Sequence, residues 1–379
     1  MAQQEEDLSV QCINELQKQA AAAGLSQFLI NDTIPNLKYL PEVIKYDRSQ
    51  AEFTQTFATY LNKRVSHRRI KQGKRLLKKH NDFLELLFRK YGVPGRYLIA
   101  FWGLETNFGL YLGKMSILDS LATLACDKRR SEFFTRELLL ALQLIDRESL
   151  TPDKMKGSWA GAMGHTQFMP STYYQYSVDG DGDGQINLWL SEKDALASSA
   201  NYLQQIGWKT GERWGREVKL PTDFPYKLSG FKNWKSLKDW KALGVTRVNG
   251  TLLPDIDMKA AVLVPSGHTG PAFLVYQNFD IIMHWNQSKY YALSVGLLAD
   301  RITGLGSLNT QPENQEPLSI QTVMTVQKNL NKAGFNAGQP DGIMGSKTRE
   351  AIQAFQASVG LIADGYPDRS TISKLLNQE

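Results

Sequence analysis

Cysteine is almost absent from this chain of 379 residues: Cys12 and Cys126 are the only two. Their separation lacks the spacing of a metal site, so a cysteine metal centre is excluded. Two readings remain, one disulfide in an oxidising compartment or two buried free thiols. Long apolar runs are absent as well. No stretch approaches 18 consecutive apolar residues, which excludes a membrane-spanning helix. The opening AQQEEDLS is polar and acidic, without a charged n-region and apolar h-region, so neither a signal peptide nor a lipid anchor is expected in the chain as it begins here. A chain starting after a removed leader would read the same. What is present is a 42% hydrophobic content, ample core for two or three domains. The net charge of +6 is uneven, with Lys63 to His80 reading KRVSHRRIKQGKRLLKKH. Such a run is a solvated helix face or a surface for an anionic polymer. It carries no interleaved aromatics and no nucleic-acid motif, so a nucleic-acid partner is not expected.

The most informative stretch is Tyr97 to Gly109, YLIAFWGLETNFG, apolar apart from one carboxylic acid, Glu105. A segment apolar all round predicts a buried helix, with Pro94 at its first turn. No Lys or Arg lies within one helical turn of Glu105. An uncompensated carboxyl in such a place is expected to hold its proton to higher pH, as a general acid requires. The alternative is a helix-end Glu that reaches solvent or caps a neighbouring backbone.

Around this stretch, helices are predicted over 8–23, as one or two long helices over 49–91, and over 116–126, 131–150 and 194–206. Tyr60 lies in the second of these and Tyr202 in the last. Gly157 to Tyr174, GSWAGAMGHTQFMPSTYY, mixes small residues with Ser158, His165, Thr166 and Gln167. That mixture suits a cleft wall contacting a polar ligand. Tight packing would explain the glycines equally well. Asp179 to Trp189, DGDGDGQINLW, has the pattern of a calcium loop, with Asp179, Asp181 and Asp183 at alternating positions, Gly184 at the sharp turn and the Gln185 carbonyl next. Leu190 stands where a bidentate Glu is expected, which leaves Glu192 or Asp194 to close the site. A metal-free Asp/Gly turn is the alternative.

The region from 208 to 251 is Trp-rich and reads as irregular, followed by strands at 259–264 and 272–276. Ile281 to Tyr291 gathers Trp285, Asn286 and Tyr291, aromatic faces and an amide suited to sugar rings or to core packing. Residues 304–317 read as a polar linker. A small helical unit over 318–379 follows, better suited to binding than to chemistry. The fold class expected is α+β, predominantly helical, with domains at 1–303 and 318–379 and a β-containing part at about 208–285.

WGLETNFG, GSWAGAMGHTQFMPSTYY, the DGDGDG loop and HWNQSKYYALSV, in this order, resemble the lytic murein transglycosylases of the membrane-bound B type and their soluble relatives. The tail, with DGIMGSKTREAIQAFQ, is similar to the small peptidoglycan-binding domain of bacterial cell-wall enzymes. The resemblance implies a lysozyme-like core acting on murein glycan in the periplasm, with other cell-wall enzymes as potential partners. It implies Glu105 as catalytic acid and base, and Ser158, Gln167 and Asn286 beside the reacting sugar. Tyr60, Tyr202 and Tyr291 match cleft tyrosines, and Trp285 stands where relatives carry Tyr. It points to one structural Ca²⁺, with Asp194 as the last ligand. Ordinary glycosidases use two carboxylates, whereas the sequence offers one candidate, which suffices where the substrate itself assists; the resemblance implies that this route ends in a 1,6-anhydro sugar. A noncatalytic peptidoglycan-binding protein and a hydrolytic muramidase are the alternatives.

Overall fold

The computed structural model describes residues 8–48, 55–148, 150–313 and 315–377. They divide into two compact units, one made of Met1–Gln50 with Gln72–Gly207 and the other of Ala51–Lys71 with Trp208–Glu379.

Unit 1 is helical. Its centre is helix Gly95–Thr106, whose residues Tyr97 to Leu104 are all buried, as the unbroken apolar run requires. Helices Asn81–Tyr91, Ile117–Cys126, Ser131–Glu148 and Glu192–Gln205 complete the bundle. Serines start two of them: Ser116 Oγ accepts the Asp119 N–H at 3.3 Å, and Ser191 Oγ accepts that of Asp194 at 3.1 Å. Cys12 and Cys126 form a disulfide across a Cα–Cα distance of 5.9 Å, which decides between the two readings of the cysteines. A two-residue ribbon pairs β1 (Met115–Ser116) with β2 (Lys156–Gly157) and leads directly into the stretch that follows Gly157.

Unit 2 contains a five-stranded antiparallel sheet. Its strands are β3 (Gly215–Lys219), β4 (Lys235–Ser236), β5 (Thr246–Arg247), β6 (Lys259–Leu263) and β7 (Ala272–Val275), in the order β4-β6-β7-β3-β5. β7 is central and all four of its residues are buried, with Leu274 opposite Val262 on one side and Arg216 on the other. Val262 and Leu274 pack with Leu237 and Trp240 of helix Leu237–Ala242. Helices Gln277–Trp285 and Lys289–Ile302 follow. Helices Ile320–Lys332, Ser346–Ser358 and Arg369–Leu376 enclose a second small core of Val326, Leu330, Ile352, Phe355 and Leu375.

Two expectations need correction. In place of one or two long helices over 49–91 there are three, Phe57–Arg64, His67–Lys79 and Asn81–Tyr91, while 49–54 lie outside the described residues. Val65 leaves the helical region at φ −109° and ψ 49°, and Ser66 Oγ then accepts the Arg69 N–H at 3.3 Å, restarting the helix with a side-chain cap. His80 breaks it again at φ −101° and ψ 14°. The region from 208 to 251 is not irregular. It holds β3, β4, β5 and a helix opened by a Ser236–Asp239 capping box. The described residues of 305–319 form no helix or strand.

Candidate active site

Glu105 is half-buried in the last turn of helix Gly95–Thr106. Immediately after it the chain turns through three left-handed residues, Asn107, Phe108 and Gly109, with φ of 51°, 62° and 82°. Two of these carry side chains, a conformation that costs on the order of 1 kcal/mol or more each and persists only where the surroundings fix it. They do so here. Thr106, buried, donates from Oγ1 to the His165 carbonyl at 2.7 Å and accepts the Gly109 N–H at 2.9 Å. Trp102 Nε1 donates to His165 Nδ1 at 3.0 Å. A Cβ on Gly109 would lie 2.4 Å from the His165 ring, so only glycine lets the imidazole close over the turn.

Burial holds the His165 pKa below the ordinary value, with Glu192 opposing. The ring is therefore neutral at pH 7, consistent with Nδ1 acting as acceptor. His80 lies edge-on to Trp102, with ring centroids 6.0 Å apart, and is also shifted down by burial.

The partner of the turn is the stretch 157–168, folded back on itself. Met163 and Phe168 exchange two backbone hydrogen bonds of 2.9 Å, and Ser158 N–H donates to Ala162 O at 2.8 Å. Ser158 Oγ accepts the N–H groups of Ala160 at 3.3 Å and Ala162 at 3.0 Å, so its own proton remains to be donated. Gln167, left-handed at φ 51°, donates from Nε2 to Gly164 O at 3.0 Å and to Leu112 O at 3.1 Å. That amide ties this stretch to the segment following Glu105. A Cβ on Gly157 would lie 2.2 Å from Ala162 O, and one on Gly164 would lie 2.6 Å from Leu188 O. At Gly157 and Gly164 the absent side chain thus permits close packing inside unit 1. Tyr202 is half-buried, with its ring 5.7 Å from Phe168 and 5.0 Å from Tyr176. Burial first, and then Tyr176, raise its phenol pKa.

Several further acids of unit 1 have identified partners. Glu137, 1% exposed, accepts the Ser171 N–H at 2.9 Å, and Asp47 pairs with Arg129 and Arg130. In the acidic loop, carboxylate oxygens of Asp179, Asp181 and Asp194 lie within 4.8 Å of one another. Asp179 accepts N–H groups from Gly184 at 2.8 Å and Gly182 at 2.6 Å, which lower its pKa. Asp194 is 1% exposed and accepts N–H groups from Gly180 and Asn187, both at 2.8 Å. Its burial nonetheless raises its pKa. Asp183 stands outside the three-carboxylate group and accepts the Gln185 N–H at 2.8 Å. Glu192 pairs with Lys79 at 2.9 Å and His80 at 3.1 Å, so of the two candidates to close the loop, Asp194 faces the other acids.

The remaining expected residues lie in unit 2. Tyr60 and Tyr291 are 2% and 5% exposed. The Tyr60 ring sits 6.0 Å from Tyr290, with the Arg64 guanidinium 5.3 Å above it. Trp285 and Asn286 are half-buried at the end of helix Gln277–Trp285, and Asn286 Oδ1 accepts the Ser288 N–H at 3.0 Å. The sequence reading missed the roles of Trp102 and Thr106 as supports for His165. Their only signal was proximity to Glu105 in an apolar run.

The family profile described as transglycosylase SLT domain matches residues 9–300, and that described as putative peptidoglycan binding domain matches 319–375. Membrane-bound lytic murein transglycosylase B of Escherichia coli K12 is 32% identical over 289 residues, covering 74% of this chain and 79% of that protein. The structure of SltB3 from Pseudomonas aeruginosa in complex with NAG-anhNAM-pentapeptide is similar with a TM-score of 0.91 and 41% identity, covering 97% of this chain and 99% of that one. The Escherichia coli lytic transglycosylase Slt35 in complex with calcium is similar with a TM-score of 0.68 and 31% identity, covering 77% and 92%.

Proposed function

The chain belongs to the SLT transglycosylase family as a lysozyme-like peptidoglycan lytic transglycosylase with a C-terminal peptidoglycan-binding domain, and from that premise we infer that Glu105 alone serves as acid and then base in forming a 1,6-anhydro product. The observation that carries this reading is the pinned turn at Glu105. Glu105, half-buried, is fixed between a buried helix and the 157–168 stretch, where Thr106 Oγ1 bonds the His165 carbonyl and the Gly109 N–H. The anhydro sugar in the SltB3 complex agrees with it.

Glu105 protonates the oxygen bridging MurNAc and GlcNAc, and the C1–O bond breaks. The substrate's 2-acetamido group stabilises C1, as in substrate-assisted glycosidases. Glu105, now ionised, takes the proton from the C6 hydroxyl as O6 bonds to C1, so no water is consumed. Ser158 contributes a donatable proton and Gln167 its amide oxygen to orient the N-acetyl and muramyl groups. Within unit 1, Tyr202 is assigned to contact with the glycan; within unit 2, taken by itself, Tyr60, Trp285, Asn286 and Tyr291 are assigned to sugar contacts.

Asp179, Asp181 and Asp194, with Asp183 and the Gln185 carbonyl, fit a Ca²⁺: the donors are hard oxygens, and three carboxylates converge, that of Asp194 buried. The ion would supply structural bracing. The same loop's Leu188 carbonyl accepts the His165 N–H at 2.8 Å, so the loop supports the ring that closes over the catalytic turn. The Cys12–Cys126 disulfide supports action in an oxidising compartment, which for this substrate is the periplasm.

Glu105→Gln tests the assignment. The variant should keep its fold and lose release of anhydromuropeptides from purified sacculi by about 10²-fold or more. Near wild-type release would overturn it. Product mass tests the route, because the anhydro sugar is lighter than a reducing end by one water.

A further inference from the structure

The segment that follows the turn at Glu105 carries the most exposed aromatic side chain among the described residues, Tyr111 at 72%, next to Leu110 at 63%. A single exposed ring is ordinary on a protein surface. This one stands on a backbone held at three consecutive residues, all within unit 1. The Tyr111 N–H donates to the carbonyl of Thr106, the residue after Glu105, at 3.0 Å. The Leu112 carbonyl accepts Gln167 Nε2 at 3.1 Å. Gly113, left-handed at φ 94°, runs so close to Gly157 that a Cβ on it would lie 2.1 Å from the Gly157 carbonyl oxygen. The backbone around Tyr111 is thus bonded to the neighbour of Glu105 and packed against the neighbour of Ser158.

The tyrosines matched to the glycan by resemblance are largely covered by protein. Tyr60 and Tyr291 are 2% and 5% exposed, and Phe168 and Tyr176 lie against the Tyr202 ring at 5.7 and 5.0 Å. Among the described residues, no aromatic ring or cation is paired with Tyr111, so its faces are open to a ligand. A pyranose presents a layer of C–H groups that complements the negative face of an aromatic ring. A tyrosine on a fixed backbone has only two torsions left to order when it stacks, which keeps the entropic cost of the contact low.

We propose that Tyr111 is a sugar-binding residue, on whose face one pyranose ring of the glycan strand stacks beside the scissile bond. The ring face makes the contact and the hydroxyl is dispensable. Tyr111 holds the strand and moves no proton. The proposal rests on the reading of Glu105 as the acid that cleaves that strand.

The test is calorimetric titration of the full chain carrying Glu105→Gln, which leaves the ligand uncut, with a peptide-free GlcNAc–MurNAc tetrasaccharide. Adding Tyr111→Ala should weaken binding about tenfold, and adding Tyr111→Phe should leave it unchanged. The side chain is exposed, so thermal melts of the three proteins should coincide. Absence of saturable binding, or equal affinity with and without the ring, overturns the proposal. A Phe variant as weak as the Ala variant overturns stacking as its basis. In the catalytically intact chain, Tyr111→Ala should raise KM for soluble glycan strands about tenfold with kcat nearly unchanged; a fall in kcat alone would mean that the substitution acts through the Glu105 turn and would also overturn it. Digestion of sacculi by the wild-type chain is assayed separately. If digestion fails while Tyr111→Ala still weakens the titration, the catalytic reading falls and the stacking contact stands. If digestion is normal and the titration is flat across the variants, only the contact falls.

Discussion

The environment of Glu105 depends on an imidazole that must stay uncharged. His165 accepts from Trp102 through Nδ1 at 3.0 Å, and a protonated ring would present a second donor to that N–H. Burial depresses the folded pKa of His165 below an unfolded value of about 6.5. The unfolded chain then binds more protons below that value, so the stability contributed by the neutral ring is complete above about pH 6.5 and is lost as pH falls through the folded pKa. His80 is depressed by the same first cause and adds to the trend. The melting transition of unit 1 should therefore drop between about pH 7 and about pH 5, and His165→Gln should make the drop shallower. Equal slopes in calorimetric scans of the two proteins would remove His165 from the account. Glu105 as a candidate was legible in the sequence, because a lone carboxylate in an apolar run is conspicuous. Its support was not. The Trp102 and Thr106 bonds to His165 join residues 63 and 59 positions apart, and nothing local marks such pairs.

Among the elements, the acidic loop and the disulfide brace unit 1 in different ways. The loop gathers three carboxylates that repel one another without a cation, so Ca²⁺ should raise the unit 1 transition by linkage, by about 2.7 kcal/mol at a hundredfold excess over Kd. EDTA should lower the melting temperature and added Ca²⁺ restore it, with Asp194→Asn abolishing the response. No shift in either direction would count against the metal. The disulfide closes a sequence separation of 114, for which chain entropy predicts about 4–5 kcal/mol, often less in practice. Reduction or Cys126→Ala should destabilise unit 1 by about 2–5 kcal/mol in urea titration. The buried helix and strands β6 and β7 were legible because their apolar residues run unbroken. β3 was not: GREVK carries three charged residues in five and reads as surface until its neighbours pair with it. The breaks at Ser66 and His80 were hidden because the surrounding composition favours helix throughout.

For the molecule as a whole, the sequence marked a polar break at 304–317 and a separate tail, and tail and sheet fall in one compact unit. The bonds responsible span large separations, His268 to Asp364 being 96 residues, which composition cannot reveal. Asp364 makes several of these ties. Its side chain is 3% exposed, and its two oxygens serve the His268 N–H and ring on one side and Gln356 Nε2 and the Tyr366 N–H on the other. Asp364→Ala would leave a backbone donor at His268 without its acceptor in a crowded place, where a Cβ on Gly267 would already meet Asp364 at 2.8 Å. The expected cost is about 1–3 kcal/mol in the unit 2 transition. Hydrogen exchange separates loss of docking from loosening of the tail itself: docking predicts faster exchange at the His268 amide, with the amides of Leu330 and Phe355 in the tail's own core still protected. If His268 stays protected in the variant, the carboxylate is not what fastens the tail to the sheet. If the core amides exchange first, Asp364 acts by holding the three-helix module together.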